Sequence, residues 1–473
     1  MKSPRITLAF TLVGALALGG TLAACSSDSG SGDGDKNTPS ATAAPTLDPN
    51  TKVTLNVVGL LPGSTKEAQQ ALADEVTEFQ NQYPNITVQT HDYEWKATTF
   101  AADLAGGTLP TVFEIPFTDA KTLIANQQIS DMQGYVNQLS YASDFNKNLL
   151  QYGQGPDGDV YAIPAKSIYA VGLHYNRDLF TKAGLDPDKP PTTWDEVRTD
   201  AKAIADKTGQ AGFAQMSQSG TGGWQLTVDT YARGGRVESE DGKTATLTND
   251  ATKASLQFLQ DLRWTDNSMG QNFNYDWAGI NQAFAAGKIG MYTSGQDVYT
   301  ALVQANNIDP ETYGLTMIPL EGDNSGVLGG GTMAAVSSKA TDDEKAAAIK
   351  WIDFHYLRKY TNEQAAVTNA KTQVASKQPV GTPELPIFSQ AQYEKYQGWI
   401  KPYVNVPLDQ MTGFTSKIFD AKLVNEPATA TQDVYAALDP VVQAVLTKKD
   451  ADIDKLLADA NTKAQRAIDS AGR

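Results

Sequence analysis

The sequence predicts an α/β chain in which a mainly parallel sheet is flanked by helices and the fold is divided into two lobes. Strand, helix and strand follow one another with short connections from residue 51 onward, the order of a βαβ unit. About 420 residues lie beyond a polar spacer, more than one hydrophobic core usually organises. No segment repeats with a period of 20 to 50 residues, which argues against a solenoid or propeller.

The first element is a secretory signal over residues 1–24. Lys2 and Arg5 precede an apolar run from Ile6 to Gly20, and Leu22-Ala23-Ala24 leads into Cys25. That run is shorter than the ~20 residues a bilayer span requires. Cys25 is the one cysteine in the sequence, so it has no internal disulfide partner. Its place after Leu-Ala-Ala fits a lipobox, in which the thiol takes a diacylglyceryl group and becomes the mature N-terminus. Residues 25–50 then form a lipidated cysteine and a Ser/Gly/Asp/Thr tether with too little apolar surface to fold. The expected location is the extracytoplasmic face of the cell membrane, held by lipid only, and the long tether suits a Gram-positive surface.

Beyond the tether, Thr51 to Gly59 reads as a strand, and the loop Gly59 to Thr65 faces any cleft at the carboxyl edge of the sheet. Lys66 to Gln82 carries Ala68, Ala71, Leu72, Val76 and Phe79 at helical spacing, and Pro84 stops it. Ile86 to Thr90 is the second strand, Thr98 to Ala105 a helix, Pro110 to Glu114 a third strand and Asp119 to Asn126 another helix. A turn at Gly155 to Asp159 precedes a strand from Val160 to Ile163, and Val171 to Asn176 is a further strand. Arg177 to Ala183 is helical and capped by Gly184. Thr193 and Glu196 form a capping box for a helix reaching about Lys207.

Several of these segments carry a family resemblance. Asp159-Val-Tyr-Ala-Ile-Pro164, His174-Tyr-Asn-Arg-Asp-Leu-Phe180, Lys182-Ala-Gly-Leu-Asp-Pro187 and Pro191-Thr-Thr-Trp-Asp-Glu196 resemble the signature of family 1 extracellular solute-binding proteins. Ala105-Gly-Gly-Thr-Leu-Pro110, Ala283-Phe-Ala-Ala-Gly-Lys-Ile-Gly-Met291 and Gly329-Gly-Gly-Thr-Met-Ala-Ala-Val-Ser-Ser338 are similar to further segments in the same order, although Thr111 replaces an aspartate. The resemblance implies a two-lobed, type II periplasmic-binding-protein fold with a cleft between the lobes. By analogy the N-terminal lobe takes 51–164 plus 329–372, and the C-terminal lobe 165–328 plus 373–473. It also implies a monomeric sugar-capturing lipoprotein that closes on a di- or oligosaccharide and delivers it to ABC transporter permease subunits. Relatives of this fold also take glycerol phosphates and polyols.

Sugar recognition needs hydrogen-bonding groups around ring hydroxyls and an aromatic platform for the apolar ring face. Asp119, just after the third strand, is a candidate carboxylate or, alternatively, the N-cap of the helix beginning near Ala120. Glu94 lies on the cleft rim or is plainly solvated. Trp224, after two glycines, and Trp277 are candidate platforms or core residues, and Lys166 lies within reach of the cleft. Where the family often has an aromatic after Met291, this chain has Gly295-Gln296-Asp297, which substitutes polar groups for a platform. Gly329, Gly330 and Gly331 admit backbone amides to the ligand or form a tight turn between strands. Phe414 resembles the last cleft-facing residue of the family, and Trp399 either contributes or packs.

Other functions find little support. The net charge of −16, or −18 without Lys2 and Arg5, disfavours nucleic acid and anionic membrane surfaces as partners. His91, His174 and His355 show no metal-ligand spacing, and His174 reads as a satisfied structural residue. Phosphate-loop and nucleophile-elbow patterns are absent. The expectation is a binding protein with no catalytic residue, cofactor or metal. A glycan-active enzyme built on a carboxylate pair and a surface adhesion lipoprotein are the alternatives.

Overall fold

The computed structural model of the chain describes residues 44–60, 66–93 and 95–471. The signal, Cys25, residues 26–43 of the tether, the loop 61–65 and Glu94 lie outside the described residues.

Alternating apolar positions build β1 (Val53–Val58), which buries Val53, Leu55 and Val57. Helix α1 (Lys66–Gln82) then returns the chain to β2 (Ile86–His91), which pairs parallel with β1. After α2 (Ala97–Gly106), β3 (Val112–Pro116) lies parallel on the other side of β1 and runs directly into α3 (Phe117–Ala125). The two strands read separately at 160–163 and 171–176 are one, β4 (Ala162–Asn176). Helices α4 (Arg177–Ala183) and α5 (Trp194–Thr208) follow. The capping box of α5 is formed, with Thr193 Oγ1 accepting from the Glu196 amide at 3.2 Å and Glu196 accepting from the Thr193 amide at 3.1 Å.

The chain continues through β5 (Ala211–Phe213), α6 (Thr221–Ala232), α7 (Asp250–Gln260), α8 (Trp277–Ala285), β6 (Ile289–Gly295), α9 (Val298–Asn306) and β7 (Tyr313–Met317). Strand β8 (Val327–Val336) leads into α10 (Asp342–Ile352), α11 (Glu363–Ala375) and α12 (Gln390–Ile400). The short β9 (Leu423–Val424) precedes α13 (Thr431–Thr447) and α14 (Ile453–Ala471). No helix among the described residues is long and apolar enough to cross a membrane.

The strands lie in the order β2-β1-β3-β8-β4-β6-β5, with β7 on β4 and β9 on β8. The parallel expectation holds for β1 with β2 and β3, and for β5 with β6. The long strands β4 and β8 add antiparallel pairings: β4 runs antiparallel to β6, β7 and β8, and β8 is antiparallel to β3 and β4 but parallel to β9. Residues 162–170 of β4 pair with β8, whereas 171–176 pair with β6 and β7. One strand therefore belongs to both halves of the sheet, and its middle is the seam between them.

His174 shows how tightly the second half is built. It is fully buried, its Nδ1 accepting from the Tyr313 hydroxyl at 2.9 Å and its Nε2–H donating to the Ser294 carbonyl at 3.1 Å. Both nitrogens are satisfied by the neutral ring, and burial lowers its pKa to about 4. The unfolded chain takes up a proton at this histidine below about pH 6.5, while the folded chain stays neutral to about pH 4. Stability is expected to fall across that window by on the order of 3 kcal/mol as pH drops. Urea midpoints measured from pH 7 to pH 4 check this. His174→Gln should flatten the slope, and an equal slope in both proteins would refute the assignment.

Candidate functional site

The seam is irregular where the two halves meet. Pairing of β4 with β8 shifts register between Pro164 and Lys166 and again between Lys166 and Tyr169. These bulges put Lys166 and Ser167 at the surface while Ala165 and Ala170 stay buried. Ser167 adopts φ +51, a left-handed conformation costly for a residue with a Cβ. Opposite it, Gly331 has φ +155 and lies against Ile168. Gly329, Gly330 and Gly331 are thus strand residues, which corrects the reading of a tight turn. A Cβ on Gly329 would come within 2.6 Å of the Tyr169 carbonyl, and one on Gly330 within 3.1 Å of the Tyr169 ring. The glycines let β8 approach β4 closely enough to seat Tyr169.

Gln296 fixes the bulge from behind. It is buried, its Oε1 accepting from the Ala170 amide at 2.7 Å and its Nε2 donating to the Ile168 carbonyl at 3.2 Å. Those bonds occupy both ends of its amide with backbone. Asp297, next in sequence, keeps contact with solvent, yet the protein packed around it raises its carboxyl pKa. Lys166 Nζ lies 2.6 Å from Glu114 Oε1, and Glu114 also accepts from the Tyr356 hydroxyl at 2.8 Å. The exposed cation of the seam is therefore already neutralised by a carboxylate from β3.

Tyr169 joins a cluster with Trp224 and Glu426. The Tyr169 hydroxyl and the Trp224 indole N–H both donate to Glu426 Oε1, each at 3.0 Å. Burial raises the Glu426 pKa, while the hydrogen bonds from Tyr169 and Trp224 act to lower it. Trp224 is placed by the first turn of α6, where the glycines before it are packed helix and no loop. Asp439 of α13 accepts from the Gly220 amide at 2.6 Å and the Gly223 amide at 2.8 Å, a carboxylate on a positive helix end. Gly223 has no room for a Cβ, which would strike the Tyr435 carbonyl. Glu426 is placed by a loop whose Ala428 and Thr429 amides donate to Glu238 at 2.7 and 3.1 Å. Sequence reading missed Glu426, and nothing local in Val424-Asn-Glu-Pro427 marks it.

The remaining candidates are dispersed. Asp119 stands in the first turn of α3, whose N-cap is Pro116, so the N-cap reading is corrected. It accepts from Thr118 Oγ1 at 3.1 Å, Trp95 donates to it, and burial raises its pKa. Three residues before it, Pro116 pairs with Thr332, so Asp119 follows the edge of the seam. Trp277 opens α8 and is 45% exposed. Phe414 is fully buried, its ring beneath Gly172 of β4, and so does not reach the surface as a platform. Trp399 packs against a small core of Ala366, Ala370, Val380, Tyr396 and Ile400. The seam thus gathers Lys166, Gln296, Asp297, the three glycines and Trp224, with a cleft of about 200 Å³ opening beside Lys166, Ser167 and Asp297.

Residues 62–361 match a family described as bacterial extracellular solute-binding protein. Among curated proteins, the sn-glycerol-3-phosphate-binding periplasmic protein UgpB of Agrobacterium fabrum is 25% identical over 416 residues, covering 81% of this chain and 89% of the relative. Among solved structures, a cyclic alpha-maltosyl-1,6-maltose binding protein from Arthrobacter globiformis superposes with a TM-score of 0.66 at 20% identity, covering 89% of this chain and all of that one. UgpB from Mycobacterium tuberculosis, solved with glycerophosphocholine, gives 0.62 at 18% identity over 88% of this chain and 98% of its own. These neighbours share the type II periplasmic-binding-protein fold.

Proposed function

This chain belongs to the bacterial extracellular solute-binding protein family, matched over residues 62–361, and from that membership we propose that it captures a neutral di- or oligosaccharide for an ABC importer. The observation that carries the choice of cargo is the cluster of Tyr169, Trp224 and Glu426. A carboxylate held by two aromatic donors offers acceptors to ring hydroxyls beside an aromatic face, the pair of surfaces a pyranose presents. The relatives that bind sn-glycerol-3-phosphate raise a phosphorylated cargo as the second reading. Against it, the seam lines up Glu114, Asp297 and Glu426, and its one exposed cation, Lys166, is paired. A phosphate there meets these carboxylates, and the cation left to it is Lys359, which also lines the cleft.

Capture follows from the two-lobed division at 164/165, 328/329 and 372/373. The lobes close about the β4–β8 seam, expelling water and strengthening each hydrogen bond to the ligand. The closed form is what the permease distinguishes, and ATP hydrolysis stays with the importer. The protein is not an enzyme. It acts as a monomer, tethered through lipidated Cys25 on the extracytoplasmic face of a Gram-positive membrane.

A thermal-shift panel of mono-, di- and oligosaccharides, polyols, sn-glycerol-3-phosphate and glycerophosphocholine tests this reading. A cargo at 100 times its Kd adds about 2.7 kcal/mol to stability, a readily visible rise in Tm. The expected result is a shift with a neutral saccharide that is recovered intact after overnight incubation. A shift with the phosphate compounds alone overturns the carbohydrate assignment, and a saccharide consumed on incubation favours an enzyme.

A further inference from the structure

Trp224 is followed by Gln225, which is fully buried. Strand β5 reaches β6 as far as the Ala214 amide, which donates to the Met291 carbonyl at 3.0 Å. Beyond that bond the Gln225 amide stands between the two chains. Its Oε1 accepts from the Met216 amide at 2.7 Å, and its Nε2 donates to the Thr293 carbonyl at 3.1 Å and to Thr293 Oγ1 at 3.0 Å. One turn along α6, Asp229 faces the same hydroxyl, which donates to Asp229 Oδ1 at 3.5 Å. Asp229 is fully buried, and its Oδ2 has no hydrogen-bond partner among the described residues. Gln225, Thr293 and Asp229 are thus one buried chain of polar groups leading to the turn of α6 that carries Trp224.

The charges around Asp229 are few. Arg233, one turn further on, donates to the Asp229 carbonyl at 3.4 Å and to Ser255 Oγ at 3.2 Å, stacks 3.7 Å from the Trp194 ring centroid, and has Glu321 as its ion-pair partner at 3.7 Å. Asp439 of α13 lies on the Gly220 and Gly223 amides, and Glu426 on the Trp224 indole. Helix α7 meets α6 through the neutral Thr252 and Ser255, and β5, β6 and β8 carry no charged residue. Burial raises the Asp229 pKa to about 7, against Arg233 and the Thr293 hydroxyl, which act to lower it. We infer that Asp229 is a proton-linked positioning residue, which acts through Thr293 and Gln225 to set where the Trp224 indole stands. Loss of its proton puts a full charge beside the Thr293 hydroxyl and draws that hydroxyl in from 3.5 Å, since hydrogen bonds to a carboxylate are shorter. Gln225 holds the same hydroxyl, so the turn that carries Trp224 moves with it. This rests on the reading of Trp224 as part of the cargo site and adds a pH dependence to it: capture is stronger when Asp229 keeps its proton.

The test is fluorine NMR of the full chain labelled with fluorotryptophan, titrated from pH 6 to pH 8.5 without ligand, with Trp224→Phe identifying the Trp224 signal. In wild type that signal is expected to follow a single-proton curve with its midpoint near pH 7, and in Asp229→Asn, which keeps the neutral form, to stay level. Thr293→Val removes the hydroxyl between Asp229 and Gln225 and leaves the carboxyl in place, so its Trp224 signal should also stay level. A carboxyl whose folded pKa is raised gives stability that is present at low pH and lost as pH rises through that pKa. The urea midpoint should therefore fall from pH 6 to pH 8.5 in wild type and in Thr293→Val but not in Asp229→Asn, which separates the positioning role from a purely structural one. Over the same range the wild-type Kd for its cargo should rise about threefold or more. A Trp224 signal that stays level in wild type, or that still titrates in Asp229→Asn or in Thr293→Val, overturns the proposal. The fluorine titration needs no ligand, so a saccharide panel that finds no cargo overturns the carbohydrate reading without touching it.

Discussion

Trp224→Ala is expected to raise the Kd for the cargo roughly 30- to 150-fold, a loss of about 2–3 kcal/mol. In the proposed site the indole would supply two things at once: an apolar face for the sugar and the N–H that holds Glu426 at 3.0 Å. Removing it leaves the Tyr169 hydroxyl donating to Glu426 Oε1 at 3.0 Å and would let the carboxylate turn away from a ligand. Trp224→Phe separates the two contributions, since it keeps an aromatic face and loses the N–H, and about half the loss should return. Because Trp224 is only half-buried, the ligand-free Tm of both variants should stay within a few degrees of wild type. Titration calorimetry with each variant measures the effect. Wild-type affinity in Trp224→Ala would remove this cluster from the binding site.

Gly329→Val should be the most damaging single change in the seam. Its Cβ would sit 2.6 Å from the Tyr169 carbonyl and collide with Leu423 Cδ1, so both a paired strand and β9 block it. Backbone cannot retreat as a flexible side chain does, and the expected cost is on the order of 4–5 kcal/mol or failure to fold. Gly331→Ala tests a different property of the same run, because its φ of +155 penalises any Cβ. Urea unfolding of each variant gives the comparison. A Gly329→Val protein as stable as wild type would mean that β8 does not approach β4 as described.

What the sequence made legible was local. Helix Lys66–Gln82 follows its apolar spacing to the residue, Gly184 ends α4 in the left-handed conformation, and the Thr193/Glu196 box closes as expected. Each of these depends on neighbours within a few positions. The recognition cluster does not: Tyr169 and Glu426 are 257 residues apart, and the Gly223 amide meets Asp439 across 216. No periodicity reports a carboxylate arriving from that distance. The tight-turn reading of Gly329 to Gly331 failed for the same reason, since only the strand that presses on them shows why they are glycines. Phe414 was expected in the cleft on resemblance alone, and the small residue opposite it, Gly172, explains why it is buried instead.

The seam also accounts for why polar residues replaced the aromatic expected after Met291. Gln296 spends both ends of its amide on the backbone of β4, which an indole with a single donor has no means to do. The bulge at Ser167 needs that clamp, and Asp297 is carried into the cleft as its neighbour.

The most direct test of the account is titration calorimetry of the protein against neutral oligosaccharides and against sn-glycerol-3-phosphate under identical conditions. The account predicts one-to-one binding of a neutral oligosaccharide and no measurable heat from the phosphate. Stoichiometric binding of sn-glycerol-3-phosphate with silence from every saccharide would contradict it.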